Sequence, residues 1–405
     1  MSQLKVQLVT NLFAPDELAG AALFSDLALY LKEEGTDIRV TTTYSYYPAW
    51  RISPQDARCA FRYEDWNGIP VKRVRMHVPQ KPNGAGRLRS DASFLSALVR
   101  HGRHDGWTPD VVLTASPMFS QCLAQRFLYA GRGIPRMIVV QDFVVDAALE
   151  LGILRAPGLQ GLLRSLERWS FRSATTLSTI SEPMLEKLRG IVGSDRRTVH
   201  IPNWIHGSLQ REIDRQAATA PVRSAKTLFY SGNLGVKQGL PAFLDDFAAA
   251  GTDWQLQING GGAQADQLAA KIHRKSGAKL GGVLTEIEYV AALLGCTACL
   301  VTQAPGVGAN FLPSKLLPAL ATGTPVLAVC DETSPLGQEV RAGGFGEVVS
   351  PGDFGRLKQA LKSWASEPAL LQKLGMKASE HAKQFERNSV LARYQEEIGR
   401  LAGGR

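Results

Sequence analysis

Short apolar runs alternate along this chain with longer amphipathic segments, and that rhythm restricts its fold more than any other feature. Strand-like spans at 4–10, 37–43, 70–76, 110–114 and 136–141 are interleaved with helix-like spans at 20–34 and 119–131. A helix at 158–173, a strand at 175–180, a helix at 182–191 and a strand at 197–201 follow, and Pro202-Asn203-Trp204 interrupts the series. Such an order predicts a parallel sheet covered on both faces, because parallel strands need crossover helices to connect them.

Residues 207–224 are polar and lack a strong period, which predicts an interdomain connection. The rhythm then restarts, with strands at 227–231, 254–259, 279–283, 298–301 and 325–329 and helices at 239–249, 263–275, 286–294 and 314–322. The expected class is α/β: two facing Rossmann-like domains, 1–206 and 207–385, with an interdomain cleft. Helical spans at 354–364, 367–384 and 387–402 read as a bundle-like tail, with the last helix, 386–405, placed to cross back to the N-terminal domain.

At 405 residues, 44% hydrophobic and 20% charged, the chain suits two or three globular domains and excludes disordered, collagenous and coiled-coil classes. Five cysteines are too few for a disulfide framework, and with no leader before Leu4-Lys5-Val6-Gln7-Leu8-Val9 a reducing cytosol is expected. Cys296 and Cys299 form a single CxxC without a second pair, so they read as buried thiols. The seven histidines show no metal-ligand spacing, and no GxSxG nucleophile motif appears. No metal and no cofactor is expected. The longest apolar stretch, 316–330, is broken by Gly323 and two prolines, so membrane contact would be peripheral.

In a doubly wound sheet, ligands bind beyond the carboxyl ends of the strands. The loop after the first strand runs from Asn11 through Phe13, Glu17 and Gly20 into a helix whose N-terminus can hold an anion, or is a plain turn. It lacks GxGxxG, which argues against a dinucleotide. In the second half, Ser231-Gly232-Asn233 leads to Lys237, an ammonium for phosphate oxygens or a solvated helix-start lysine. Asn259-Gly260-Gly261-Gly262 and Leu280-Gly281-Gly282-Val283 end the next two strands, and three glycine-bearing strand ends together indicate a nucleotide pocket. The segment from Gly306 through Asn310 to Ser314, Lys315 and Leu316 enters a helix and offers N–H groups, a hydroxyl and a cation to a diphosphate. In the first half, Asp142 ends a strand and Glu150 follows; a strand-end Asp positions a hydroxyl, acts as a base, or caps a helix.

The net charge of +9 is local: residues 51–105 hold eleven Lys and Arg against five Asp and Glu. Together with the arginine-bearing amphipathic segment 159–172, this reads either as a face for anionic lipid or as a solvated surface around a core-packing helix. No nucleic-acid-binding motif accompanies it. Tyr44, Tyr46, Tyr47 and Trp50 follow the second strand, where they could stack on a sugar or prenyl chain or pack the loop.

These residues resemble the retaining glycosyltransferases of the GT-B fold in family four, especially the colanic-acid-type fucosyltransferase branch. The resemblance rests on Phe13-Ala14-Pro15, Val140-Gln141-Asp142 with Leu149-Glu150-Leu151-Gly152, Leu166-Glu167-Arg168-Trp169, Ile201-Pro202-Asn203-Trp204, the segment Tyr230 to Leu240, and Leu312-Pro313-Ser314-Lys315-Leu316. It implies a GDP- or UDP-sugar held on the C-terminal domain and a saccharide acceptor on the N-terminal one. By the same resemblance Lys237 contacts the donor diphosphate, Gly20 forms the opposite wall, and Val283 lies near the base. Ser314, Lys315 and Leu316 line the phosphate and ribose, and Asp142 stands beside the transferred sugar.

Two departures matter. Asn233 stands where many members carry an arginine, leaving Lys315 as the substitute cation, and Asn310 and Pro318 stand where many carry two glutamates. The implied role is transfer, with retention and without metal, to a prenyl-diphosphate-linked saccharide in exopolysaccharide, capsule or O-antigen assembly at the cytoplasmic face of the inner membrane. The alternatives are a nucleotide-sugar 2-epimerase and an inactive glycosyltransferase-like binding subunit.

Overall fold

The computed structural model describes residues 3–16, 19–46, 50–79, 84–116, 118–143, 145–146, 157–219, 223, 226–272, 277–307 and 312–404. The chain divides into two compact units, Met1–Asn203 with Asn388–Arg405, and Trp204–Arg387.

The first unit is an eight-stranded sheet in the order β3-β4-β2-β1-β5-β6-β7-β8. Its strands are β1 (Lys5–Val9), β2 (Asp37–Thr43), β3 (Phe61–Trp66), β4 (Ile69–Val74), β5 (Val111–Ala115), β6 (Arg136–Val140), β7 (Thr176–Thr179) and β8 (Arg197–His200). All pairs are parallel except the hairpin of β3 with β4. The sequence rhythm misses β3, an edge strand whose side chains are largely exposed and carry no apolar run. It also misses the helix Gly84–His101, where a Gly-Ala-Gly start and three arginines mask the buried stripe of Phe94, Ala97 and Leu98.

The second unit is a six-stranded, all-parallel sheet, β11-β10-β9-β12-β13-β14. These strands are β9 (Thr227–Ser231), β10 (Gln255–Asn259), β11 (Ala278–Gly281), β12 (Ala298–Thr302), β13 (Val326–Val329) and β14 (Gly346–Val349). Alternate residues of β9 feed opposite cores: Leu228 and Tyr230 pack with Phe243, Phe247 and Trp364, and Phe229 packs with Ile213, Leu293 and Leu316. Strands buried on both faces, as β12 and β13 are, therefore read as nearly continuous apolar runs.

Two expectations need correction. The segment read as an interdomain connection contains the helix Gly207–Ala217, whose Leu209 and Ile213 are buried in the second unit's core; its polar face hid a narrow apolar stripe. The terminal helices are not a separate bundle. Leu357, Leu361 and Trp364 of Phe354–Ser366 and Leu374 of Pro368–Ala382 complete the second unit's core. The helix Arg387–Gly403 instead buries Val390, Leu391, Tyr394, Ile398 and Leu401. It is held within the first unit by Tyr30 Oη donating to Gln395 Oε1 (3.2 Å), Arg197 Nε donating to Glu397 Oε2 (3.1 Å) and Arg400 donating to Thr176 Oγ1 (2.7 Å).

The basic stretch is partly internal. Arg73 is 2% exposed; it donates to Glu64 (2.6 Å), to the Thr43 carbonyl (3.0 Å) and to the Ala14 carbonyl. Lys72, equally buried, donates to the Arg103 carbonyl (2.6 Å) and faces the Phe61 and Tyr63 rings. Arg62 pairs with Asp56 and Glu64. Among the described residues, no helix is long and apolar enough to cross a membrane.

Candidate functional site

In the second unit the strand order turns at β9/β12, where chain connections leave in opposite directions, and such a switch point opens a crevice at the carboxyl ends. The loops there are bonded into one assembly. Gly232 N–H donates to the Asn259 carbonyl (3.0 Å), Leu234 N–H to the Gly261 carbonyl (2.9 Å), Gly260 N–H to the Gly281 carbonyl (3.2 Å), and Ala304 N–H to the Lys237 carbonyl (2.8 Å). Glycine is required where these loops touch. A Cβ on Gly260, whose φ is +146°, would lie 1.9 Å from the Gly232 carbonyl oxygen. Gly239, at φ +64°, ends the short turn Val236–Gln238 that carries Lys237 and opens the helix Leu240–Ala250.

Lys315 lies within this assembly. Its Nζ is 3.6 Å from the centre of the Tyr230 ring, is shielded from solvent, and makes no hydrogen bond among the described residues. A Cβ on Gly232 would be 3.3 Å from it. Burial pushes the ammonium down to about 7, opposed only by the nearby Cys299 thiol. A buried cation lacking an anion is costly, so this position favours an anionic ligand. Tyr230, which also donates its hydroxyl to the Asn233 carbonyl (2.8 Å), was not singled out from the sequence; an aromatic in a strand reads as core, and only the fold brings it under Lys315.

Of the other residues named for this region, Asn233 is exposed, with its side chain beside Gly235 and Gly262, and Lys237 is half-buried. Val283 is exposed and stands over Gly261. Ser314 is exposed but does not cap a helix: the helix is Leu316–Ala321, with Lys315 at its N-cap and no side-chain cap bond. The Leu316 side chain is wholly buried in the core, and its N–H donates to the Pro313 carbonyl (3.1 Å). Asn310 lies outside the described residues. Burial holds the thiols of Cys296 and Cys299 well above their usual range, Cys299 at about 12. Among the described residues, no group of three or more His, Cys, Asp or Glu could hold a metal ion.

In the first unit the switch point is β1/β5. Gly20 lies in the first turn of the helix Ala19–Glu33. Asp142 is half-buried, two residues past β6, and its neighbour Gln141 donates to Asn203 Oδ1 (2.9 Å). Tyr46 is half-buried, with its ring 5.8 Å from that of Trp50, and burial raises its hydroxyl pKa. Phe13 is corrected as a contact residue: it is wholly buried, edge-on to Trp66 at 4.9 Å, and so shapes the opening loop from beneath. Glu17 and Glu150 lie outside the described residues. The residue that sequence reading missed is Arg73, whose bond to the Ala14 carbonyl pins that loop; a lysine- and arginine-rich stretch gives no sign of which cation turns inward.

Residues 20–204 match the family model described as Glycosyl transferase 4-like domain. A relative in Escherichia coli strain K12, assigned to colanic acid biosynthesis as glycosyl transferase WcaI, is 27% identical over 96% of this chain and 99% of its own length. Among solved structures, sucrose-phosphate synthase from Thermosynechococcus elongatus superposes with a TM-score of 0.75 at 14% identity, covering both chains fully. Anabaena HepE in complex with UDP-glucose superposes with a TM-score of 0.68 at 14% identity, covering 98% of this chain and 100% of the other.

Proposed function

We propose that this chain, a glycosyltransferase of the GT-B fold similar to the colanic-acid-type enzymes, moves a sugar from a nucleoside diphosphate to a lipid-linked saccharide in polysaccharide assembly. The observation that carries the donor half of this reading is Lys315, a buried ammonium with no hydrogen-bond partner among the described residues, set beside Gly232 in the bonded loop assembly. A nucleotide diphosphate supplies the missing charge, and the HepE complex, which contains UDP-glucose, is a fold neighbour that supports the class of donor.

In this reading Gly232, Asn233 and Gly260 bring backbone close to the diphosphate, Val283 borders the base, and Ser314 stands on the ribose side. Lys237 and Lys315 together stabilise the negative charge that builds as the nucleoside diphosphate departs. Lys315 thereby replaces the cation absent at Asn233. Asp142, in the same unit as Gly20, orients the acceptor hydroxyl; attack on the face that the diphosphate leaves gives retention without a protein nucleophile and without a metal. Tyr46 lies on the acceptor side, as Glu17 and Glu150 do in the sequence.

The acceptor is proposed to be held at an anionic membrane surface on the cytoplasmic side. Three successively packed helices of the first unit, Gly84–His101, Phe119–Leu128 and Pro157–Phe171, support this. They expose Leu88, Val99, Phe127, Leu162 and Trp169 together with Arg89, Arg100, Arg164 and Arg168, and the Arg126 guanidinium lies 4.1 Å over the Trp169 ring. Their acids turn inward: Asp91 accepts from Ser120 N–H (2.9 Å), and Glu167 is 4% exposed. Basic side chains interleaved with apolar ones suit an anionic bilayer interface.

A thermal-shift panel of UDP- and GDP-sugars tests the donor, because a bound ligand stabilises by RT ln(1 + [L]/Kd). One nucleotide class is expected to raise the melting temperature, and the matching sugar to appear on a prenyl-diphosphate-linked saccharide with its anomeric configuration retained by NMR. No shift with any nucleotide sugar rejects the reading; donor conversion without acceptor turns it to an epimerase.

A further inference from the structure

A second concave site lies wholly within the first unit, at the carboxyl ends of the adjacent parallel strands β2 and β4. It has a volume of about 630 Å³, and its charged lining is entirely basic: Arg51, Arg75, Arg100, His77 and His101, with no carboxylate. Among the described residues none of the three arginines forms an ion pair, whereas Arg62 and Arg73, a few residues away, are matched by Glu64. Apolar residues share the lining with this charge: Trp50, Ile52, Met76 and Val78.

The walls are tied together. Arg75 donates to the Ala57 carbonyl (2.8 Å), holding the segment 50–60 against the end of β4. His77 N–H donates to Ser93 Oγ (2.8 Å), holding that strand end against the helix Gly84–His101. His101 stacks 5.1 Å from Phe61. Trp50 meets Tyr46 at 5.8 Å, so the groove opens beside the residue already assigned to the acceptor side. Arg100 belongs to both the groove and the helical layer described above, which leads from one to the other.

Unmatched arginines present forked donors suited to phosphate oxygens, and an apolar wall beside them suits a hydrocarbon attached to those oxygens. We propose that this groove binds the diphosphate of a prenyl-diphosphate-linked acceptor, with Arg51, Arg75 and Arg100 on the phosphates and Trp50, Ile52 and Val78 along the first isoprene units. This deepens the transferase reading and rests on it for the role of the ligand as acceptor. The site itself is independent of the donor pocket.

Calorimetric titration of the full chain, saturated with the nucleoside diphosphate that the thermal-shift panel selects, separates the sources of the anion. Farnesyl diphosphate is the probe, with inorganic diphosphate and glucose 1-phosphate as comparators. Farnesyl diphosphate is expected to bind at least about tenfold more tightly than either comparator. The paired substitution Arg51→Ala and Arg100→Ala, at exposed side chains that make no hydrogen bond or ion pair among the described residues, is expected to weaken it by at least about tenfold, with nucleotide binding unchanged. Equal affinity for farnesyl diphosphate in parent and variant overturns the site. Equal affinity for farnesyl and inorganic diphosphate in the parent overturns the prenyl assignment, and a preference for glucose 1-phosphate replaces it with a soluble sugar phosphate. If farnesyl diphosphate fails while nucleotide still binds, this groove is wrong and the transferase stands; failure of nucleotide alone rejects the donor reading instead.

Discussion

The Lys315 ammonium sits 3.6 Å over the face of the Tyr230 ring, shielded from solvent and without a hydrogen bond to any described residue. The ring's negative face favours the cation, but loss of hydration outweighs it and lowers the pKa to about 7. Nucleoside diphosphate binding should restore full protonation. Affinity is therefore expected to be nearly flat below pH 7 and to weaken above it, by up to about tenfold per pH unit, with proton uptake seen by calorimetry in buffers of different ionisation enthalpy. In the free protein the sign is opposite. The unfolded lysine, at 10.5, binds more protons than the folded one between pH 7 and 10.5, so this residue's destabilisation fades as pH rises through that window. Lys315→Met should accordingly melt above the parent at pH 6 and lose that advantage by pH 10. A pH-independent nucleotide affinity in the parent would remove Lys315 from the diphosphate.

Lys237 is proposed to act mainly on charge that builds in the transition state. Lys237→Ala is expected to cost about 3 kcal/mol or more in kcat/KM, with a smaller effect on the melting temperature, as for loss of one preorganised donor. Near-parental turnover would exclude it from the mechanism.

The glycines at the proposed donor loops are separable. Gly260→Ala should abolish nucleotide binding and destabilise the second unit by about 2 kcal/mol or more, since its Cβ would collide with the Gly232 carbonyl oxygen at a φ of +146°. Gly261→Ala meets only Val283, at 3.5 Å, and is expected to keep the parent's stability. Thermal melts with and without nucleotide distinguish the two, and equal behaviour would contradict the packing described.

For the proposed membrane face, flotation with vesicles containing anionic phosphatidylglycerol should recover the parent at low salt, while phosphatidylcholine vesicles should not. Combined Leu162→Ser and Trp169→Ser is expected to abolish recovery, and Arg164→Glu with Arg168→Glu to do the same, at about 1 kcal/mol per basic side chain lost. Flotation unchanged in both variants would place the contact elsewhere.

The last helix is structural. Removing residues 388–405 strips five buried apolar side chains from the first unit, each worth about 1.5–3 kcal/mol, a sum comparable to the whole stability of a domain. The truncated chain should lose the first unit's cooperative melt, whereas Glu397→Ala, which releases Arg197 and Arg400, should cost about 1 kcal/mol. A truncated chain that melts like the parent would refute the assignment of this helix.

What could be read from the sequence follows burial. The central parallel strands were visible because strands covered on two faces are nearly continuous apolar runs, as with Val111–Ala115 and Val326–Val329. The helices Gly84–His101 and Gly207–Ala217 were not, because only a few of their positions face a core and polar residues fill the rest. At the site, Gly232, Gly260 and Lys237 stood out as glycines and a cation at strand ends. Phe13 and Leu316 shared those loops but turn into the core, a difference that sequence position cannot express.

The sequence by itself determined the class of fold, the repetition of that fold along one chain, and the glycine-bearing loops proposed to hold the donor, since these depend on local periodicity and on residues at strand ends. Tertiary structure alone decided which side chains meet. It brought Tyr230 beneath Lys315, turned Arg73 and Lys72 inward while leaving Arg51, Arg75 and Arg100 without carboxylate partners among the described residues, and returned the last helix to the first unit. Those outcomes depend on contacts between residues far apart in the chain, which only the closed sheets and their packed helices bring within reach.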